Sequence, residues 1–211
     1  YFFLAVTHYF CNFAPMNTNV SNEQWKSNVI LADADYLDSV AFNLTVNFER
    51  MIGRRIPQAD FARWADCVAL DGGLREGDNE IQVVLIHRKE TKEMKNFTPG
   101  EFASQLDGKA FKDHLGEFLI SSLTIEDSLP SGNDLLIESL QVISNAKEVK
   151  RIMVVAADDD YQKVKDTLRH ADDEKRITVF SMQPMPGGNF RQEILGYSVM
   201  NALGIRSEEI K

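Results

Sequence analysis

The stretch that decides the fold is RIMVVAADDDYQKVKDTLRHADDEKRITVFS, residues 151–181. It opens with an apolar run and closes with another, and both runs predict buried strands. Between them, Tyr161, Val164 and Leu168 recur at helical spacing and predict a helix that begins near Asp160. A strand, a helix and a strand in succession are typical of a parallel α/β sheet. The two predicted strands cover residues 151–157 and 176–181.

The same alternation extends in both directions from this stretch. The residues from Tyr36 onward predict a long helix that stops at Gly53, and QADFARWAD predicts a second helix followed by a strand or turn at CVALDGG. Thr98 and Pro99 predict the N-cap and first position of a further helix that ends at Gly108. The remaining predicted strands are Val29–Ala32, 80–87 and 116–125, and the remaining predicted helices are 131–146 and 190–203. The pattern predicts an α/β fold with a mostly parallel sheet.

Composition narrows the functional classes. The chain has 211 residues and a net charge of −9, which argues against a generic electrostatic grip on nucleic acid but allows a local basic patch. Its two cysteines, Cys11 and Cys67, form no zinc-ribbon or disulfide pattern and favour a reducing cytoplasm. No apolar run approaches the roughly 20 residues of a membrane span. We expect a disordered or non-native segment over 1–26, with residues 1–15 preceding the true start, and one domain over 27–211.

Acidic residues follow the predicted strands. Asp33 and Asp35 come after the first strand, the run Asp158, Asp159 and Asp160 follows the strand at 151–157, and Asp134 stands at a helix start. Ligands of open α/β sheets bind at the carboxyl ends of the strands, where these acids should converge. Carboxylate oxygens suit Mg²⁺ or Mn²⁺. Any single Asp here is also well suited to be a helix N-cap, but one cap needs one acid and does not explain three in a row.

The three acidic motifs resemble those of the NYN domain, a branch of the PIN-like ribonucleases. ILADADY stands where that family has its first acidic motif, PSGNDLLIESL its second, and VAADDDYQKVKDTL followed by RITVFS its third. The resemblance covers most of residues 27–181 and rests on three motifs in the same order. It implies a PIN-like, Rossmann-like topology in a three-layer sandwich.

The resemblance also implies a function. Metal-dependent hydrolysis of RNA phosphodiesters would use an acidic Mg²⁺ or Mn²⁺ site, with single-stranded or structured RNA as the partner and homo-oligomerisation left open. Tyr36 and Ala157 depart from the family pattern, which usually has Asn and Gly there. The residues implied are Asp33, Asp134, Asp158 and Asp160 as catalytic metal ligands and Asp35 as an auxiliary acid. Candidate phosphate contacts are Arg54, Arg55, Arg88, Lys89 and Lys92, although solvated surface charge is the commoner role of such residues.

Two other functions compete with the nuclease. DADYL also resembles the D-x-D motif of haloacid-dehalogenase-like phosphatases, with Asp33 as nucleophile and Asp35 as general acid/base. Leu37 departs from that motif, and Asp134 has no role in it. The later phosphatase motifs would use Ser121 or Ser122, Lys147 or Lys150, and Asp158 with Asp159. The third function is a non-catalytic α/β interaction module whose acids are caps or a regulatory cation site.

Overall fold

The computed structural model describes residues 25–125, 132–172 and 174–210, without the side chains of residues 125 and 132–134. A seven-stranded sheet forms the centre, in the order β5-β6-β3-β1-β7-β8-β9, and β2 and β4 form a separate parallel pair. All neighbours in the large sheet are parallel except β5 and β6. The strands are β1 (Asn28–Asp33), β2 (Ala59–Asp60), β3 (Asn79–Arg88), β4 (Phe97–Thr98), β5 (Ala110–Lys112), β6 (Gly116–Ile125), β7 (Arg151–Val155), β8 (Arg176–Ser181) and β9 (Arg191–Ile194).

Helices cover both faces of the sheet. They are α1 (Ala34–Ile52), α2 (Phe61–Asp71), α3 (Gly132–Asn145), α4 (Tyr161–Leu168) and α5 (Leu195–Ala202). Apolar residues of α1, α2 and α5 pack on one face in one core cluster, while those of α3 and α4 pack on the other face in a second cluster. The predicted three-layer α/β sandwich with a mostly parallel sheet is therefore confirmed.

The order of the parallel strands defines where a ligand should bind. Numbered by their order along the chain, the six parallel strands lie as 3-2-1-4-5-6, the doubly wound arrangement. The chain reverses its direction of winding between β1 and β7, which are direct neighbours with Ala32 opposite Val155. In such sheets the crevice at the carboxyl ends of these two strands is the usual binding position.

Three local predictions were wrong. Most of CVALDGG forms neither strand nor turn, because Val68 and Ala69 continue the buried face of α2 as far as Asp71, and only Gly72 and Gly73 form a turn. Thr98 and Pro99 do not start an α-helix: Thr98 ends the short strand β4, and a single π-helical turn follows over Phe102–Leu106. The closing helix begins only at Leu195, since the residues before it form β9 beside β8.

The helix after the first strand ends where it was predicted to end and begins two residues before Tyr36, at Ala34. Asp33 is its N-cap, and Gly53 adopts φ 69°, the left-handed conformation that ends the helix without a steric penalty. Over the described residues, no helix is long and apolar enough to cross a membrane.

Candidate functional site

The side chain of Asp33 lies at the carboxyl end of the central strand β1. Its Oδ1 accepts a hydrogen bond of 2.9 Å from the backbone N–H of Tyr36, the N-cap bond of α1. Burial raises the pKa of Asp33 to about 6, although this hydrogen bond works against the shift, and the carboxylates of Asp35 and Asp160 raise it further. The site therefore holds a carboxylate whose negative charge is poorly compensated by the chain.

Asp158, Asp159 and Asp160 form a 3-10 turn directly before α4. Neither this turn nor α4 has a side-chain cap, so capping does not explain the acidic run. Oδ1 of Asp158 accepts hydrogen bonds from the backbone N–H of Met182 at 3.2 Å and from the hydroxyl of Tyr36 at 3.4 Å. The three carboxylates thus have different surroundings despite being consecutive.

Asp160 is the most unusual of the three acids. It is only 5% exposed, whereas its neighbour Asp159 is exposed. Among the described residues, no backbone or side-chain group donates a hydrogen bond to the Asp160 carboxylate, although neither of its oxygens is a fully buried atom without a partner. A buried carboxylate normally has a cation or several donors, since its desolvation is costly. Asp160 therefore marks a position where a cation would be stabilising.

The described carboxylates at this edge lie too far apart for three of them to contact one ion directly. Within the part of the chain that the structure describes, the acids Asp33, Asp158 and Asp160 do not bring three ligand atoms within 4.8 Å of one another. Mg²⁺ usually retains several waters and binds through one or two carboxylates, so an open, all-oxygen set fits it. The side chain of Asp134 lies outside the described residues, although its backbone belongs to α3.

The auxiliary acid, Asp35, is engaged with the loop after β3. It accepts hydrogen bonds from the backbone N–H of Arg88 at 2.8 Å, from Nε of Arg88 at 3.2 Å and from the hydroxyl of Thr91 at 2.6 Å. These bonds fix the start of α1 to the carboxyl end of β3. Asp35 is therefore placed to hold Arg88 beside the acids.

The basic residues divide between two ends of the molecule. Arg88 ends β3, two residues beyond Ile86, which is the register partner of Asp33, and Lys89 follows it. Arg54 and Arg55 come after the far end of α1, whose 19 residues span about 28 Å. There Nε of Arg54 lies 2.7 Å from Glu209. The structure thus brings Arg88 and Lys89, but not Arg54 and Arg55, to the edge that carries Asp33.

Comparison with known proteins places the chain in a family. The model of a family of unknown function (DUF6621) matches residues 22–210. The chain belongs to this family. No curated protein and no solved structure matches it. Any assignment of activity therefore depends on the geometry of the site.

The phosphatase constellation is divided between opposite edges of the sheet. Lys147 and Lys150 precede β7, and Lys150 donates its backbone N–H to the carbonyl of Ser27, which lies just before β1. Both lysines are thus at the amino ends of strands whose carboxyl ends carry Asp33. A lysine from either position does not reach the proposed nucleophile.

The sequence reasoning missed a second group of ionisable side chains. One potential ligand atom each of Asp66, Asp113 and His114 lie within 4.8 Å of one another, the one such group of three among the described residues. Asp66 belongs to α2, and the other two lie in the turn between β5 and β6. No spacing in the sequence signals this group, because it depends on how the turn packs against the helix.

Proposed function

We propose that the chain is a divalent-cation-dependent hydrolase of RNA phosphodiesters, with its active site at the carboxyl ends of β1 and β7. The observation that carries the proposal is the position of Asp160, a residue only 5% exposed whose carboxylate has no hydrogen-bond donor among the described residues, at the crevice where doubly wound sheets bind ligands. Asp33 and Asp158 follow the two strands that flank this crevice. Asp134 is the fourth acid that the resemblance to NYN-type PIN-like ribonucleases implies.

The donor set suits Mg²⁺ or Mn²⁺, because every proposed ligand is a carboxylate oxygen. Such a cation supplies charge stabilisation to a phosphate and activates water for hydrolysis. The chain would hold it through one or two of the carboxylates of Asp33, Asp158 and Asp160 directly, with water bridging to the rest. In its absence these carboxylates repel one another, which is one cause of the raised pKa of Asp33.

Two neighbouring side chains contact this group of acids. The Tyr36 hydroxyl holds Oδ1 of Asp158, and Asp35 holds the Arg88 side chain, which is well exposed at 67%. A phosphate near the acids could be contacted by Arg88 and Lys89. RNA as substrate is supported by the order of the three motifs. The cysteine usage supports action in the cytoplasm.

The test compares two neighbouring substitutions with the same change of charge. Asp160→Asn removes the buried carboxylate, and Asp159→Asn removes the exposed one beside it. Fluorescently labelled single-stranded and hairpin RNAs are incubated with each protein and Mn²⁺, with and without EDTA. We expect EDTA-sensitive cleavage by the wild type and by Asp159→Asn, and at least a roughly 100-fold loss in Asp160→Asn. Absence of cleavage by the wild type, or equal losses in both variants, would overturn the proposal.

A further inference from the structure

A second group of potential ligands lies at the opposite edge of the sheet. The turn that carries Asp113 and His114 precedes the first residue of β6, so it is at the amino ends of the parallel strands. Nδ1 of His114 lies 3.8 Å from Oδ1 of Asp66. Because α2 and the turn are far apart in sequence, this convergence is produced by the tertiary fold alone.

The turn is held in one conformation by its neighbours. Oδ1 of Asp113 accepts hydrogen bonds from the backbone N–H groups of Leu115 at 2.7 Å and Gly116 at 3.3 Å. The carbonyl of Leu115 accepts from the side-chain amide of Asn79 at 2.6 Å, and that of His114 accepts from Gly77 at 3.1 Å. Oδ1 of Asp113 is thus committed to the turn, while its second oxygen is not. Metal ligands that the fold already holds in position lower the cost of binding an ion.

The charges of the group are not balanced by the chain. Oδ1 of Asp66 is buried and has no hydrogen-bond partner among the described residues, apart from the imidazole at 3.8 Å. No described lysine or arginine forms an ion pair with Asp66 or Asp113. The carboxylates of Asp66 and Asp113 interact directly, so they repel each other unless a proton or a metal ion lies between them. An unsatisfied, buried carboxylate oxygen inside a group of ligands is the feature that a bound metal ion would explain.

We infer that Asp66, Asp113 and His114 form a binding site for a divalent transition-metal ion, of which Zn²⁺ is the representative. Zn²⁺ binds both carboxylate oxygens and imidazole nitrogens, and zinc sites with three protein ligands leave the fourth position to water. The imidazole ligand disfavours Mg²⁺ and Ca²⁺, which take oxygen ligands. This site therefore differs in metal preference from the all-carboxylate group at the other edge.

The consequence of binding would be a cross-link between α2 and the β5–β6 hairpin. The hairpin forms the edge of the sheet at which β5 runs antiparallel. An ion that binds the folded chain raises its stability in proportion to the logarithm of the free ion concentration. The inference does not depend on the nuclease proposal, because no residue is shared between the two sites.

The experiment is an isothermal titration of Zn²⁺ into the metal-stripped full chain, in excess Mg²⁺ to saturate the carboxylate group at the other edge. His114→Ala removes the imidazole, whose side chain is half exposed, so the fold should be retained. Asp113→Asn removes a charge but keeps an oxygen for the turn. The control is His170→Ala, which removes another exposed histidine. Circular dichroism checks the fold of each variant.

We expect one Zn²⁺ bound by the wild type and by His170→Ala, and an affinity at least about 100-fold lower for His114→Ala and Asp113→Asn. Zn²⁺ should also raise the Tm of the wild type but not that of His114→Ala. Unchanged affinity in His114→Ala, or no binding to the wild type, would overturn the inference. Zn²⁺ binding by Asp160→Asn should equal that of the wild type, which separates this result from the nuclease test.

Discussion

The hydroxyl of Tyr36 lies 3.4 Å from Oδ1 of Asp158 and so joins the first turn of α1 to the acidic turn after β7. The contact crosses the crevice between β1 and β7, where the winding of the sheet reverses. Burial and the neighbouring carboxylate of Asp158 raise the pKa of Tyr36, so the hydroxyl keeps its proton and remains a donor. In the protein without a metal ion, Tyr36 therefore stabilises the negative charge of Asp158, a proposed metal ligand.

Tyr36→Phe should raise the affinity of the site for Mn²⁺. Removal of the Tyr36 hydroxyl frees Oδ1 of Asp158. A long hydrogen bond of this kind contributes no more than about 1 kcal/mol, which corresponds to about a fivefold change in the dissociation constant for Mn²⁺. Isothermal titration of Mn²⁺ measures the effect. Tyr197→Phe, at a position 69% exposed on α5, is the control. A lower affinity in Tyr36→Phe would show that the hydroxyl orients Asp158 for the ion instead of competing with it.

Asp33→Asn should stabilise the metal-free protein at pH 8. The pKa of Asp33 is raised from its ordinary value of 3.8 to about 6, so the folded chain holds this proton more tightly than the unfolded chain. Ionisation of Asp33 therefore lowers the free energy of unfolding. There is no such cost well below the pKa of the unfolded chain, and the full cost of about 3 kcal/mol applies above the pKa of the folded chain. Asn keeps the N-cap, because Asn and Asp cap helices equally well.

The gain is measured as the change in free energy of unfolding by urea at pH 8 and at pH 4. Asp60→Asn is the matched control, since exposed Asp60 caps α2 through a 3.1 Å bond from the backbone N–H of Arg63. We expect a gain for Asp33→Asn at pH 8 alone and little change for Asp60→Asn at either pH. If Asp33→Asn were less stable than the wild type at pH 8, the ionised Asp33 carboxylate would not be destabilising the folded chain, which would contradict the prediction.

Loss of Arg88 and Lys89 should weaken the salt dependence of RNA binding. If each contacts one phosphate, Arg88→Gln and Lys89→Gln should each reduce the slope of log affinity against log salt by about 0.7. Arg54→Gln removes an arginine at the far end of α1 and should leave the slope unchanged. Binding is measured by fluorescence anisotropy with a labelled single-stranded RNA in Ca²⁺, to limit cleavage. Equal effects of Arg54→Gln would indicate diffuse electrostatics rather than a site beside the acids.

Gly116→Ala should destabilise the chain far more than Gly53→Ala. Both glycines have positive φ, 144° and 69° respectively, but an added Cβ at Gly116 would collide with the backbone of Asn79, whereas at Gly53 it meets open space. We expect about 1 kcal/mol for Gly53→Ala and at least about 2 kcal/mol more for Gly116→Ala. Urea unfolding measures both values. Similar costs would show that the β5–β6 turn yields more easily than its hydrogen bonds indicate.

The strands and helices that bury a continuous apolar surface could be predicted from the sequence. The strands β1, β3 and β7 each contain an apolar run of four residues, and α1 has both a capping acid and a terminating glycine. β9 could not be predicted in this way, because RQEI has no apolar run and becomes a strand only through pairing with β8.

The candidate sites differ in the same way. The acids after β1 and β7 could be placed together because parallel strands end at the same edge. The separate roles of Asp159 and Asp160 could not, since the direction of each side chain in a 3-10 turn is set by packing. The group formed by Asp66, Asp113 and His114 left no sequence signal, because its members are joined only by the contact between a helix and a hairpin.

Asp160, the buried acid of the 3-10 turn, is proposed to be a ligand for a divalent cation. The most direct measurement is an isothermal titration of Mn²⁺ into three proteins that all carry His114→Ala, which disables the second site. The first has no other change, the second also carries Asp160→Asn, and the third also carries Asp159→Asn. We expect saturable binding that is lost in the Asp160→Asn protein and retained in the Asp159→Asn protein. Equal binding in the Asp160→Asn protein, or none in the protein with both acids intact, would contradict it.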